Sequence, residues 1–328
     1  MEPKSVSENR VVLSELACNI LTEFNISAFN EFVKVAGPLD TLDLMRPYKQ
    51  KNMLILLVET RRQMNLKGNG PDQIAIPFFI AHSSLGKPED AELEIREKGV
   101  IGTCHDCIFK NATPEFCVVM SREAGDAVCE ALNPPYEMLW THQLTNGDPF
   151  CRYIVKKKTE PYNNPEDLGK VIATLPKVNL SKEQLLRFKG FILSRFWGAT
   201  TEGFVDYCGP EKAMEILGAN AHRIGIGAGT YLVQSGMIKE RNATGAGQFI
   251  DLFEKGSERY GDVIRSSSNE FSKEIVNCPF KDQPRGICLQ FESFFNGMCK
   301  AVNPDLEYKY SKMMTAGDHS CFWSVTKK

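Results

Sequence analysis

The chain has no apolar run long enough to cross a bilayer. The longest clean one, from Met53 to Val58, is six residues, against the roughly 20 that a spanning helix needs. Residues 1–10 are polar and lack the apolar core of a secretory signal. An excess of one charge is also missing: 39 Lys and Arg stand against 41 Asp and Glu, for a formal charge of -2. A nucleic-acid binder would carry a basic stripe. These absences predict a cytoplasmic protein with neither nucleic acid nor membrane as a partner.

Cysteine, by contrast, is plentiful. There are 11, an odd number, in a chain expected in a compartment that disfavours disulfides. The remaining roles are metal ligation, catalysis or burial as a small apolar side chain.

Eight of the cysteines form two matching series. Cys107, Cys117, Cys129 and Cys151 are spaced by 10, 12 and 22 residues, and Cys278, Cys288, Cys299 and Cys321 by 10, 11 and 22. Each series encloses an Asn-Pro (Asn133-Pro134, Asn303-Pro304) and a Gly-Asp (Gly147-Asp148, Gly317-Asp318). Upstream, Phe32-Val33 with Gly37-Pro38 matches Phe204-Val205 with Gly209-Pro210. So many coincidences at offsets of 170 to 172 indicate an internal duplication. The expected organisation is a first copy over 1–158, a linker over 159–180 rich in Pro and Asn, and a second copy over 181–328. A duplicated domain inherits a self-complementary face if its ancestor was a dimer, which predicts a pseudo-dimer and would permit a homo-oligomer.

Leu185 to Val205 carries its apolar residues at helical intervals, and so does Gln248 to Ile264. Ser181 and Gln184 have the spacing of a capping box ahead of the first of these. Phe116 to Met120 and Ile287 to Phe291 are short apolar runs that read as strands. Helices are expected over Glu123–Leu132 and Phe294–Val302, each stopped by Asn-Pro. Asn146-Gly147 between alternating segments is a hairpin signal, matched by Ala316-Gly317. The fold class predicted is α+β: two tandem copies of a helical segment followed by a small antiparallel sheet. Period-two geometry puts Cys151, Tyr153 and Val155 on one apolar, buried face, as it does Cys321, Trp323 and Val325.

Cys104-His105-Asp106-Cys107 has a zinc-knuckle spacing, but no second knuckle accompanies it. Four repeated thiols could ligate zinc or another metal in each copy, with Cys107 and Cys117 in the first and Cys278 and Cys288 in the second as the leading ligands. Gly225-Ile226-Gly227-Ala228-Gly229 lacks the preceding strand and the later acidic residue of a dinucleotide loop, and reads as a tightly packed segment. The five histidines, His82, His105, His142, His222 and His319, have no counterparts between copies.

The run Cys278-Pro279-Phe280, then Ile287-Cys288, Asn303-Pro304 and Gly317-Asp318-His319-Ser320-Cys321-Phe322, resembles the L-2-amino-thiazoline-4-carboxylic acid hydrolase family. The Gly-Asp-x-x-Cys-x-aromatic ending is also similar to 4-vinyl-reductase-type domains, small-molecule-binding modules of α+β fold that can carry a cysteine-bound zinc. The first resemblance implies hydrolysis of a small sulfur–nitrogen heterocycle or amide-like substrate. Such chemistry needs a nucleophile or activated water and a proton carrier. In the second copy Cys278 or Cys288 is then the nucleophile or metal ligand and Glu292 the acid/base, with Asp318 and His319 at the mouth. The alternative expectation is a non-catalytic module that binds or senses a small molecule.

Overall fold

A computed structural model describes residues 6–68, 70–118, 122–132, 135–175 and 180–328. The α+β class holds. The chain forms two compact units, one of residues 1–32 and 200–328 and the other of residues 33–199. These bounds differ from those of the sequence copies: each unit includes the greater part of the helix that opens the other copy. No helix among the described residues is long and apolar enough to cross a membrane.

The unit spanning 33–199 is the first to consider. It contains the end of α1 (Val6–Ala36), then α2 (Pro38–Gln63), α3 (Pro71–Leu85), β1 (Ala91–Arg96) and β2 (Gly99–Cys104). A short helix α4 (Pro114–Cys117), α5 (Glu123–Leu132), β3 (Tyr136–His142), β4 (Cys151–Lys157), β5 (Val171–Leu175) and the first part of α6 (Lys182–Cys208) complete it. Its antiparallel sheet has the order β3-β4-β2-β1-β5. Gly37 turns the chain into α2 at φ 84°, a backbone state that favours glycine. The Ser181 capping box is present: Gln184 Oε1 accepts from the Ser181 N–H at 2.8 Å, and Ser181 Oγ from the Gln184 N–H at 3.2 Å. Lys49 Nζ donates to the Phe196 carbonyl at 2.5 Å and so ties α2 to α6.

The stretch expected as a linker is structured where it is described. Leu168 is buried with Ile101 and Ile154 on one face of the sheet, and β5 adds to the β1 edge. Apolar residues separated by prolines and asparagines hid a strand in what looked like turn chemistry. Residues 176–179 of the linker, the Asn133-Pro134 stop and part of the Phe116–Met120 strand candidate lie outside the described residues.

The other unit contains α1 up to Phe32, the end of α6, α7 (Pro210–Gln234), α8 (Ala243–Gly256), β6 (Tyr260–Ser266) and β7 (Glu270–Asn277). It ends with α9 (Arg285–Val302), β8 (Leu306–Lys312) and β9 (Cys321–Lys327). Its sheet order is β6-β7-β9-β8; written backwards, this is the order β3-β4-β2-β1 of the other unit without β5. In α1, Phe24 packs edge-on against Phe294 with ring centroids 5.3 Å apart, and Phe32 stacks on Phe204 at 4.7 Å. The glycine run lies in α7, where a Cβ at Gly225 would meet the Phe294 carbonyl oxygen at 2.0 Å. Gly225 and Gly229 therefore serve close approach of α7 to α9.

Two segments depart from expectation. Ile287 to Phe291 is not a strand: it lies in α9, whose Ile287, Cys288, Phe291, Phe294, Phe295 and Met298 repeat at three- and four-residue steps and are buried. A five-residue window could not separate the two periods. Cys117 likewise ends helix α4. The helix expected to reach Ile264 stops at Gly256, and Tyr260, Val263 and Ile264 belong to β6. Both hairpins form as expected, with Gly147 at φ 86° and Gly317 at φ 97°. The faces expected to be buried, Cys151-Tyr153-Val155 and Cys321-Trp323-Val325, are buried.

Candidate functional site

In each unit three of the four repeated thiols converge, and two of the local hydrogen bonds that hold them are shared. Cys151 Sγ accepts from the Leu144 N–H at 3.3 Å, and Cys321 Sγ from the Met314 N–H at 3.2 Å. Cys107 Sγ accepts from the Phe109 N–H at 3.4 Å, as Cys278 does from Phe280. Thr315 Oγ1 donates to Cys288 Sγ at 3.2 Å, whereas its counterpart Thr145 lies beside Cys117 with its buried hydroxyl unpartnered. Within each trio the sulfurs are close enough to interact electrostatically. Cys129 and Cys299 have no such interaction with the trios.

Burial pushes these thiols up, Cys278 to about 12 and Cys288 to about 11, Cys117 to about 11 and Cys107 well up. At neutral pH they are protonated, and a thiol rather than a thiolate is a poor nucleophile and metal ligand. Among the described residues no group of three or more His, Cys, Asp or Glu is arranged to hold a metal ion. The four-thiol site considered from the spacing is not assembled, because the third cysteine of each series sits apart from the trio.

The other residues expected at a catalytic site do not face the thiols as a set. The Asp318 carboxylate accepts from the Met313 N–H at 2.8 Å, as Asp148 does from the Gln143 N–H at 2.7 Å. Both lock a turn. His319 is exposed at the tip of the connection to β9. Glu292 is half-buried on α9, its carboxyl raised by burial and offset by Lys309 and the Tyr310 backbone.

Around the thiols of the second-copy unit lies a buried charge cluster that the sequence reading missed. Lys273 Nζ bonds Glu254 Oε2 at 3.0 Å and Asp251 Oδ1 at 2.9 Å. Trp323 Nε1 donates to Glu254 at 3.1 Å. Arg259 lies 3.6 Å from Glu254 and donates to the Tyr310 hydroxyl at 3.3 Å. Its guanidinium sits 4.4 Å from the Phe291 ring centroid and within 5.8 Å of Phe253, Phe280 and Phe295. It also interacts with Cys278, Cys288 and Cys321. Burial is the largest influence and works against its charge, but Glu254, Tyr310, Cys278 and Tyr308 together outweigh it and raise the guanidinium pKa.

The 33–199 unit has a cavity at the corresponding place. Its volume is about 30 Å³, enough for about two water molecules. Cys107, Cys117 and Cys151 line it with His82, Trp140 and Gln143. Met53, Phe109, Ile192 and Phe196 supply apolar wall. His82 is buried, its Nδ1 3.1 Å from the Phe78 carbonyl, and burial depresses its pKa to about 4, so it is neutral. Asn146 donates to Gln143 Oε1 at 3.3 Å, which orients that amide. Trp140 Nε1 and Gln143 Nε2 are buried donors without a partner. The signal that could have found these residues is the difference between copies: Trp140 falls on Tyr310, Gln143 on Met313, and His82 on Phe253.

Compared with protein-family models, with curated proteins and with solved structures, the chain finds no match.

Proposed function

We propose that this is a duplicated small-molecule-binding protein whose ligand enters the thiol-lined cavity of the 33–199 unit. The supporting observation is an enclosed, largely apolar cavity with two buried donors, Trp140 Nε1 and Gln143 Nε2, left without acceptors. Buried polar groups are nearly always bonded, and an unmade bond costs about 1–3 kcal/mol. A ligand acceptor would recover that cost. Apolar walls with few convergent polar groups describe a binding pocket. The duplication is supported by the matched strand orders and matched thiol hydrogen bonds.

The hydrolase reading rests on the motif resemblance. It has less physical support, because Cys278 and Cys288 are buried, protonated and engaged in turn and side-chain hydrogen bonds.

The test is a set of uncharged fragments of up to about seven heavy atoms, toluene and N-methylacetamide included. Binding is read from the indole N–H resonance of Trp140 and from the melting temperature. At least one fragment is expected to shift Trp140 saturably and raise the melting temperature. If none does, the binding reading is wrong.

A further inference from the structure

The two units place different things at one architectural position, and that difference specifies the ligand. Cys107, Phe109, Cys117, Trp140 and Cys151 of the cavity wall correspond, at an offset of 170 or 171, to Cys278, Phe280, Cys288, Tyr310 and Cys321. His82, three residues before the end of α3, corresponds to Phe253, three before the end of α8. Arg259 interacts with all six of these counterparts. It is thus the built-in occupant of the site in its own unit: a planar, four-atom group among thiols and rings. The position matching Arg259 in the other copy is Pro88, which carries no group that could play this part.

The charge around the two sites differs. Arg259 is balanced by Glu254, whose counterpart is Ser83. Among the described residues no acidic side chain lines the cavity of the 33–199 unit. A buried cation without an anion is strongly disfavoured, and the neutral His82 shows the same preference. The unpartnered groups on the wall are donors, where the Arg259 site instead offers a carboxylate and a tyrosine hydroxyl. Gln143 is more than nine-tenths buried, so its free N–H is not turned to solvent.

We propose that this cavity takes a small, planar, uncharged group with an accepting oxygen, an amide or urea-type carbonyl, bonded by Trp140 Nε1 and Gln143 Nε2. Such a group has the shape of the guanidinium but the opposite hydrogen-bonding sense at its recognised atom. Met53 lines the cavity, and its unbranched thioether can shift to admit a group larger than two waters. This inference rests on the binding reading and narrows it to a ligand class.

The experiment titrates the full chain with N-methylurea and, at matched ionic strength, with methylguanidinium chloride, following the Trp140 indole N–H. N-methylurea is expected to move that resonance downfield and saturate in the millimolar range, with methylguanidinium weaker by at least about tenfold. Gln143→Met, which installs the residue of the other copy, is expected to weaken N-methylurea at least about tenfold while leaving toluene binding in place. In Arg259→Ala the preference reverses, with methylguanidinium raising the melting temperature of the variant and not of the wild type. Equal binding of the two probes to the wild type, or an unaltered N-methylurea response in Gln143→Met, would overturn the proposal. Should toluene move Trp140 while N-methylurea does not, the ligand class is wrong and the binding reading stands. If neither does, both fall.

Discussion

Replacing Arg259 with Met tests whether the guanidinium stabilises its unit as a charge or merely as volume. Arg259 is 2% exposed, pairs with Glu254 at 3.6 Å and lies over the Phe291 ring. Met fills much of the same space but leaves the buried Glu254 carboxylate with Lys273 and Trp323 alone. Removing one partner of a buried ion pair costs about 3–5 kcal/mol. For a unit of this size that lowers the melting temperature by roughly 10 °C. Adding Glu254→Gln removes the uncompensated anion, so the double variant should recover part of the loss, with a coupling of about 1–3 kcal/mol in the cycle. The pH dependence has a definite sign. Burial raises the Glu254 carboxyl above its ordinary range while Arg259 and Lys273 pull it back; without Arg259 it rises further. Between the ordinary carboxylate pKa and that raised value the folded variant binds more protons than the unfolded chain, so its stability increases as pH falls. The penalty of Arg259→Met should therefore be smaller at pH 5 than at pH 7.5. Urea denaturation of the four proteins at both pH values measures this. A loss below about 1 kcal/mol, strict additivity in the cycle, or a penalty that grows toward pH 5 would refute the reasoning.

His82 has a folded pKa depressed to about 4 from its ordinary 6.5. The unfolded chain then gains a proton first as pH falls, so stability should drop between about pH 6.5 and 4, by up to about 3 kcal/mol. His82→Phe, the residue of the other copy, should flatten that slope in thermal melts across this range. Gly225→Ala places a methyl against the Phe294 carbonyl at 2.0 Å and should cost about 1–3 kcal/mol in denaturant melts. Gly227→Ala, where nothing lies within 4 Å, should be neutral or slightly stabilising. Alkylation of Cys278 and Cys288 by iodoacetamide at pH 7.5 should be undetectable until the chain is unfolded, as mass mapping of the modified peptides would show.

The α+β class, both hairpins and the Ser181 capping box were legible in the sequence, because each depends on residues within about ten positions of one another. What it hid depends on tertiary context. The run around Cys288 is apolar and only five residues long, so helix and strand periods were indistinguishable until its continuation into Phe294 and Met298 was read as one face. The exchange of α1 and α6 between units leaves no local mark: Phe24 and Phe32 are ordinary helix-core residues, and only their partners Phe294 and Phe204 reveal where they pack. Comparing the copies directed attention to the thiols that converge, and attention to what they share obscured Arg259, Glu254, His82 and Gln143, where the copies differ.

That contrast gives the recurring cysteines a structural role, and among the described residues they are not grouped as metal ligands. In both units one sulfur receives the N–H that opens the turn before β4 or β9, and a second receives an N–H two residues on; in the second-copy unit a third also takes a threonine hydroxyl. A thiol suits this work because it is apolar enough to line a cavity and still accepts a weak hydrogen bond. Serine at the same places would add a strong donor and acceptor that the apolar surroundings could not fully satisfy. The frame is therefore held constant by the thiols, while the nearby positions are free to vary. Exchanging Glu254 for Ser83 and Arg259 for Pro88 converts a site filled by its own side chain into an open, uncharged one. Cys151→Ser should accordingly lower stability by about 1–3 kcal/mol and disturb the Trp140 resonance, whereas Cys129→Ser, away from the trio, should leave that resonance unmoved.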